Sequence, residues 1–560
     1  MKLTFHDRAR ARLAAERGGR PHRPEAAVRF VLAFPNLYAI GMASLGFHLV
    51  YGVLNNPPRS SCERAFLPSE DEISEHRRTG APLFALESLR PLHEFDVIAF
   101  SVSYEMDYLN VLRMLDLAGL PPARRDRDES HPLVVAGGVC ATFNPEPMAD
   151  FFDAFVIGEA EAVLPDTVRV IESGLRMPRS ALLAALSEVA GVYVPALYEP
   201  RYDARGRLVE VAASGPTPAR VRRAVAGDLS GLPASSELRA ETAAFGDTTL
   251  VEVSRGCGRQ CRFCVSGYVT RPPRHRRAED MVGEGRLGLV GAAVFDHPEA
   301  EAICRSIVDA GNEFTVSSVR LESVTPELAR LMAAGGQKTL TIAPEAGTRR
   351  LRRVINKDCS DEDVAAAVAA ASDAGIRRVK LYFMIGLPTE TDTDVEATVE
   401  MVRRLAREFS SVRFQVSVSV FVPKPWTPFQ WSPMERPDVL KNRYRALRRA
   451  LTGTRGVAFS GESPRLAAFQ ALLARGDRRT GCVLVAAHAN GGRYAAAAKE
   501  CGIDMEEWLT REREQDEVFP WDHIDVRVDK AYLWREYKRA AEGATTGPCR
   551  PRECRACGAC

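Results

Sequence analysis

Two successive series of strand-length apolar runs, each alternating with helix-length stretches, constrain this 560-residue chain more than any other feature. VRFVLAF (28–34), DVIAFSVS (96–103), PLVVA (132–136) and AFVI (154–157) are predominantly apolar. A strand buried on both faces reads that way, and strands alternating with helices predict an α/β unit with a parallel sheet. Glycines follow these runs at Gly41, Gly137, Gly138 and Gly158, near the carboxyl ends of the strands where open sheets bind ligands. A second alternation starts at Thr248, with apolar runs at 249–253, 289–295, 314–321, 339–343, 379–385 and 414–422. Six strand–helix repeats predict a partial (β/α)6, TIM-like barrel. The intervening stretch predicts a hairpin turning near Gly206 and a linker bearing Pro and Arg. The expected layout is a basic leader (1–24), an α/β domain (25–180), hairpin and linker (181–240), barrel (241–465), helical region (466–545) and Cys-rich tail (546–560).

Composition is that of an ordinary globular chain, with 46% hydrophobic and 26% charged residues. A net charge of +2 neither demands nor excludes a nucleic-acid partner. The amino terminus is basic without an apolar core, so no signal peptide is expected. No stretch reaches the ~18 apolar residues of a membrane span. The alanine-rich segment 364–371 reads as a buried helix, and a cytoplasmic location is expected.

Thirteen cysteines in such a chain point to metal binding or catalysis rather than disulfides. Cys257, Cys261 and Cys264 share one short loop, VEVSRGCGRQCRFCVSGYVTRPPR (251–274), directly after the first barrel strand. Their spacing lets three thiolates take three corners of an iron–sulfur cubane and leave one iron open. A structural zinc site asks for four ligands. Cys549, Cys554, Cys557 and Cys560 form the tail CRPRECRACGAC, a four-thiolate set suited to a second cluster or to zinc. The six isolated cysteines, Cys62, Cys140, Cys304, Cys359, Cys482 and Cys501, read as small buried hydrophobes.

The Cys-x3-Cys-x2-Cys loop resembles that of the radical S-adenosylmethionine (SAM) superfamily, and the likeness extends over roughly 245–433. It implies a 4Fe-4S cluster on Cys257, Cys261 and Cys264, with Phe263 packing near the adenine of SAM. TLTIAPEAGTRRLRRVINK (339–357) resembles the segment whose acidic residue helps hold SAM, here Glu345. KLYFMIGLPTET (380–391) resembles the fifth-strand motif, whose backbone at Ile385, Gly386 and Leu387 approaches adenine. Ser317, Ser318 and Arg320 stand where third-strand residues reach the cofactor. SVFVPKPWTPFQW (419–431) resembles the sixth strand of the branch holding methylthiotransferases and cobalamin-dependent enzymes. The family's glycine-rich segment after the second strand is replaced by VFDHPEAE (294–301). The implied activity is reductive cleavage of SAM to a 5′-deoxyadenosyl radical that abstracts hydrogen from a substrate. The resemblance names neither that substrate nor the residues that touch it.

FPNLYAIGMASLG (34–46), AGGVCATFNPEP (136–147) and VIGEAE (156–161) resemble the Rossmann-like, cobalamin-binding-type domain that precedes many such barrels. The whole chain is similar to a bacterial group of cobalamin-binding-like radical SAM proteins. Cobalamin is thus an expected cofactor, although no histidine stands out as a cobalt ligand and His48 is expected to pack or lie exposed. The resemblance also implies a one-electron donor such as flavodoxin or ferredoxin and a small protein partner. The leading expectation is radical methylation or related C–H functionalisation. The alternatives are a methylthiotransferase-like modifier of RNA or protein, whose extra amino-terminal cysteine triad is absent here, and an iron–sulfur carrier. RPPRHRR (271–277), KNRYRALRR (441–449) and Arg349, Arg350, Arg352 and Arg353 could meet RNA phosphates, with a solvated face as the simpler reading.

Overall fold

The computed structural model describes residues 4–19, 23, 25–56, 59–281, 283–551 and 553–560. The chain forms two compact units: Met1–Thr249 with Leu473–Met505 and Val518–Val526, and Leu250–Leu472 with Glu506–Glu517 and Arg527–Cys560.

The first unit is built on a six-stranded sheet of β1 (Val28–Phe34), β2 (Ser60–Phe66), β3 (Val97–Ser101), β4 (Leu133–Gly137), β5 (Ala154–Val156) and β6 (Val192–Tyr193). Its order is β2-β1-β3-β4-β5-β6, with β1 to β5 parallel and β6 antiparallel. From β1 the chain crosses to β2 on one side, then returns to β3 on the other. That reversal opens a crevice beyond the carboxyl ends of β1 and β3. Helix α1 (Leu45–Leu54) buries Phe47, Tyr51 and Leu54 against Phe30, Leu32 and Phe34 of β1, in one core with Val163 and Ile171 of α2 (Ala160–Gly174).

The apolar pattern does not mark strand β2, because SSCERAF places Glu63 and Arg64 inside it. Both charges are buried and paired. Arg64 donates to Glu87 at 2.6 Å and Glu16 at 2.7 Å, and Glu63 accepts from the Ser88 hydroxyl at 2.6 Å. Glu16 lies in the segment expected to be a leader. There Phe5–Ala14 is a helix, and Glu16–Gly18 pairs antiparallel with Leu238–Ala240 from the expected linker, so both segments belong to this unit. The hairpin is present, Tyr198–Tyr202 against Leu208–Ala213, with Gly206 at φ +74° in its turn.

Among the described residues the barrel of the second unit has seven strands rather than six: β7 (Thr249–Glu252), β8 (Arg286–Val290), β9 (Glu313–Val316), β10 (Thr339–Glu345), β11 (Arg378–Ile385), β12 (Arg413–Val420) and β13 (Val457–Gly461). A parallel bridge between Val319 and Ile342 joins β7-β8-β9 to β10-β11-β12-β13. The seventh was missed because VAFSG is short and half exposed; its place comes from register with β12, Phe414 opposite Val457. The alanine-rich segment lies in α3 (Asp361–Asp373), which starts with a capping box from Ser360 and Asp363 and buries Val364, Ala367, Val368 and Ala371.

The helical stretch after β13 is shared between the units. Within it Cys482 and Cys501 form a disulfide, which corrects the reading of both as isolated hydrophobes. Helices Thr480–Ala489 and Tyr494–Glu500 fold back on each other and bring the two together, which linear spacing does not reveal. Among the described residues no helix is long and apolar enough to cross a membrane.

Candidate cofactor site on the barrel rim

The three clustered cysteines leave the carboxyl end of β7 on a loop held by main-chain groups and a buried arginine. Gly256 has φ +83°, and a Cβ there would lie 2.4 Å from the Thr270 carbonyl oxygen, so the turn admits only glycine. The Cys264 amide donates to the Cys261 carbonyl at 3.1 Å, and the Arg259 amide to Cys257 Sγ at 3.4 Å. Arg262, between Cys261 and Phe263, is fully buried. It donates to Glu536 at 3.0 Å, to the carbonyls of Arg353 and Val354 at 3.2 and 3.0 Å, and to that of Ala544 at 2.6 Å. Glu536 belongs to α4 (Lys530–Ala541) near the chain's end.

Burial, then the neighbouring Cys261, pushes the Cys264 thiol up to about 12. Burial also raises Cys257, with Cys261 and Asp296 adding to the effect. Cys257 and Cys264 therefore sit in surroundings that disfavour bare thiolates, with Cys261 within electrostatic reach of both. Iron would supply the missing positive charge. Among the described residues no three His, Cys, Asp or Glu side chains converge on a single metal ion. A cubane asks for another arrangement, with each cysteine on its own iron. The cysteine-only donor set fits such a cluster.

The other expected site residues surround this loop. Phe263 packs with Met384 and Leu387 against Ala346, Leu351 and Phe421, so the loop aromatic and the end of β11 share one apolar patch. Ile385, Gly386 and Leu387 are buried there. The Gly386 amide already donates to Glu390 at 2.7 Å, a carboxyl that burial raises to about 7. Glu345 closes β10 at φ +69°, after a register shift, and accepts from buried Lys357 at 3.0 Å. Ser317 and Ser318 lie exposed just past β9. Arg320 donates to Glu322 at 3.0 Å and stands 4.0 Å from Asp296.

Three charged neighbours went unnamed in the sequence reading. Asp296 accepts two bonds from Arg259, at 2.7 and 2.8 Å, and Lys357 lies within electrostatic reach of Cys261. Asp296 lies in the VFDHPEAE segment that departs from the family pattern, and that departure was the available signal. Cations and carboxylates interspersed around the loop suit a zwitterionic ligand such as SAM.

In the first unit the switch-point crevice carries exposed apolar side chains: Leu37 (45% exposed), Ile40 (46%) and Tyr104 (42%). Gly41, Gly138 and Gly158 there serve the protein's own close packing. A Cβ on Gly138 (φ +108°) would lie 2.4 Å from the Val102 carbonyl oxygen, and Cβ atoms on Gly41 and Gly158 would strike Phe66 and Ala224. His48 is buried with Nε2 3.0 Å from the Met42 carbonyl oxygen, so it is no cobalt ligand. Asp107 lies beneath the crevice, accepting from Asn36 at 2.9 Å and Asn110 at 3.3 Å, and burial raises its carboxyl to about 6.

Arg271, Arg276 and Arg352 of the arginine stretches are buried, while Arg277, Arg349, Arg350, Arg353, Arg445, Arg448 and Arg449 lie exposed. Arg276 donates to Glu252 at 2.5 Å, Arg349 to Asp358 at 2.8 Å, Arg350 to Asp394 at 2.5 Å and Arg443 to Glu390 at 3.0 Å, and Arg352 pairs with Asp361. Of the tail cysteines, Cys557 is buried, Cys549 half-buried, and Cys554 and Cys560 exposed.

Comparison with known proteins places this geometry in context. Residues 251–402 match the radical SAM superfamily, and residues 46–195 match the family described as radical SAM proteins, N-terminal; together they take in more than half the chain. An uncharacterized protein of Methanocaldococcus jannaschii is 28% identical over 80% of this chain and 88% of its own length. An uncharacterized methyltransferase of Pyrococcus horikoshii is 25% identical over 50% of this chain and 59% of its own. The ribosomal protein uS12 methylthiotransferase RimO of Syntrophobacter fumaroxidans is 26% identical over 35% of this chain and 48% of its own, so the chain spans about half of those last two relatives. Among solved structures, the radical S-adenosylmethionine methyltransferase TsrM from Kitasatospora setae is 15% identical, covering 72% of this chain and 75% of its own at a TM-score of 0.48.

Proposed function

Since the chain belongs to the radical SAM superfamily and is an enzyme of that kind, we propose that it uses cobalamin as a methyl carrier in radical methylation or a related C–H functionalisation. When bound, a 4Fe-4S cluster and SAM supply one-electron chemistry that activates an unreactive C–H bond, and cobalamin supplies the methyl group. The chain's own part is positional. Arg262 fixes the loop carrying Cys257, Cys261 and Cys264, Phe263 provides an apolar face, and Glu345 with Lys357 offers a carboxylate and an ammonium to SAM.

The observation that carries the cobalamin reading is the set of Leu37, Ile40 and Tyr104, exposed at the sheet's reversal point. Open α/β sheets bind ligands at that point, and large exposed apolar side chains clustered there mark a ligand site. The relative named as a methyltransferase supports the same direction. A methylthiotransferase reading draws less support, because Cys62 and Cys140, the two cysteines of the amino-terminal α/β domain, are both buried.

The test is to load the anaerobically reconstituted protein with hydroxocobalamin, remove the excess and record the visible spectrum. Retained corrinoid in the base-off form, lost in a Leu37→Asp, Tyr104→Asp variant that still folds, is expected. No retained corrinoid overturns the methyl-carrier reading, while 5′-deoxyadenosine formation separately reports on SAM cleavage.

A further inference from the structure

The segment after α4 is laid along the cysteine loop residue by residue. Arg262 donates to the Ala544 carbonyl at 2.6 Å, Gln260 Nε2 to that of Gly547 at 2.6 Å, and Asn356 Nδ2 bridges the carbonyls of Gln260 and Thr546, each at 3.0 Å. The Cys549 amide then donates to the Gly258 carbonyl at 2.6 Å, one residue from Cys257. A Cβ built on Gly258 would lie 3.9 Å from Cys549 Cβ. With consecutive Cα atoms 3.8 Å apart, Cys549 Cβ is no more than about 9 Å from the Cα of Cys257.

Past Cys549 the chain folds back against α4. The Asp529 amide donates to the Cys557 carbonyl at 2.9 Å, and Arg535 to that of Ala556 at 3.3 Å. Gly558, at φ +79°, passes so close to the Asp529 carboxylate that a Cβ would lie 2.8 Å from it. All four tail cysteines fall within twelve residues, on a stretch tied to the cysteine loop at Cys549 and to the start of α4 at Cys557. A buried cation joins the two cysteine sets. Arg271, 1% exposed and seven residues after Cys264, stacks its guanidinium 4.7 Å from the Tyr268 ring centroid, within electrostatic reach of Cys557.

We propose that Cys549, Cys554, Cys557 and Cys560 hold a second, fully cysteine-ligated 4Fe-4S cluster that relays electrons to the cluster on Cys257, Cys261 and Cys264. Four thiolates leave no open iron, so this cluster binds no SAM and serves electron transfer alone. Positive charge near cluster sulfurs tunes reduction potential, and buried Arg271 supplies it. The balance is one electron in and one out. A low-potential one-electron donor of the flavodoxin or ferredoxin class reduces the tail cluster, which returns to its oxidised state as the electron passes to the loop cluster. The exposed sulfur side, Cys554 and Cys560, offers the donor a point of entry. The inference rests on the radical SAM reading of the loop and extends it to the source of the electron.

The experiment uses full-length protein reconstituted anaerobically with iron and sulfide. It compares the wild type, a Cys554→Ser, Cys557→Ser, Cys560→Ser variant and a Cys257→Ala, Cys261→Ala, Cys264→Ala variant. Roughly eight iron atoms per wild-type chain and roughly four in each variant are expected, two cubanes against one. The reduced electron paramagnetic resonance signal should respond to SAM in the tail variant and not in the loop variant. The rate of 5′-deoxyadenosine formation driven by reduced flavodoxin, divided by that driven by dithionite, should fall at least about tenfold in the tail variant. Cys560→Ser alone, a change at an exposed position, should lower the same ratio and covers the case in which the triple variant fails to fold. Wild-type iron content in the tail variant, zinc in place of iron in the wild-type tail, or an unchanged ratio would each overturn the proposal. A SAM-responsive signal surviving in the loop variant would instead overturn the loop assignment.

Discussion

Replacing Arg262 by Met tests whether the cysteine loop is held by the buried guanidinium. The side chain is fully buried and makes hydrogen bonds to Glu536 and to the carbonyls of Arg353, Val354 and Ala544. Methionine fills similar volume, so little of the loss comes from a cavity. What remains is a buried carboxylate that keeps only the half-exposed Arg539, 3.5 Å away, beside it, and carbonyls stripped of a donor. The Thr546 hydroxyl, 2.8 and 2.9 Å from the two carboxylate oxygens, offsets a small part. Breaking a buried pair from one side costs about 3–5 kcal/mol, which for a unit of this size lowers the melting temperature by roughly 6–20 °C. The assay is urea and thermal unfolding of the apo protein under argon, followed by circular dichroism, with iron bound after reconstitution measured alongside. Pairing the change with Glu536→Gln removes the stranded charge and should recover about 1–2 kcal/mol. A cost below about 1 kcal/mol for Arg262→Met, or a double variant no more stable than the single, would refute the argument that this charge pair holds the loop.

Other consequences follow from the same geometry. Burial raises the Asp107 carboxyl to about 6 from 3.8, so folding favours its protonated form and stability falls as pH rises from about 4 through about 6. Asp107→Asn keeps the acceptor for Asn36 and Asn110 and should gain roughly 1–3 kcal/mol at pH 7.5 and almost nothing at pH 4, measured by urea unfolding. Glu345→Gln should weaken SAM binding by about tenfold or more while the iron count holds, since one charge-assisted contact is lost; unchanged affinity by equilibrium dialysis moves the role elsewhere. Gly138→Val should cost roughly 2–4 kcal/mol through its φ of +108° and the 2.4 Å approach to Val102, whereas Gly46→Ala, where a Cβ meets nothing within 4 Å, should be neutral or slightly stabilising in a melting experiment.

Much of the architecture was legible in the linear chain. The apolar runs at 28–34 and 96–103, and those at 249–253, 339–343, 379–385 and 414–422, correspond to strands because a hydrogen-bond ladder repeats its demand every residue or two, whereas the runs at 289–295 and 314–321 meet β8 and β9 only at their starts. The alanine-rich helix read as buried, and the turn at Gly206 is there, for the same local reason. The cysteine loop was legible because three thiolates within eight residues need no distant partner to be recognised.

Tertiary structure alone decided which charges are neutralised and which glycines are obligatory. Arg64 looks like a reason against a strand until Glu16 and Glu87, 48 and 23 residues away, are seen beside it. Arg271, Arg276 and Arg352 resemble a basic surface until their burial is known. Gly138 looks replaceable until the Val102 backbone is placed against it, and Cys482 resembles a core residue until two helices bring Cys501 to it. The tail's position is the clearest case. Four cysteines at the chain's end state a chemistry by themselves, but that they lie beside Gly258 depends on hydrogen bonds spanning nearly 290 residues, such as Gln260 to Gly547. Periodic patterns are written locally because secondary structure forms from neighbours; contacts between distant segments leave no local mark, since their energy is gained only once the chain has folded.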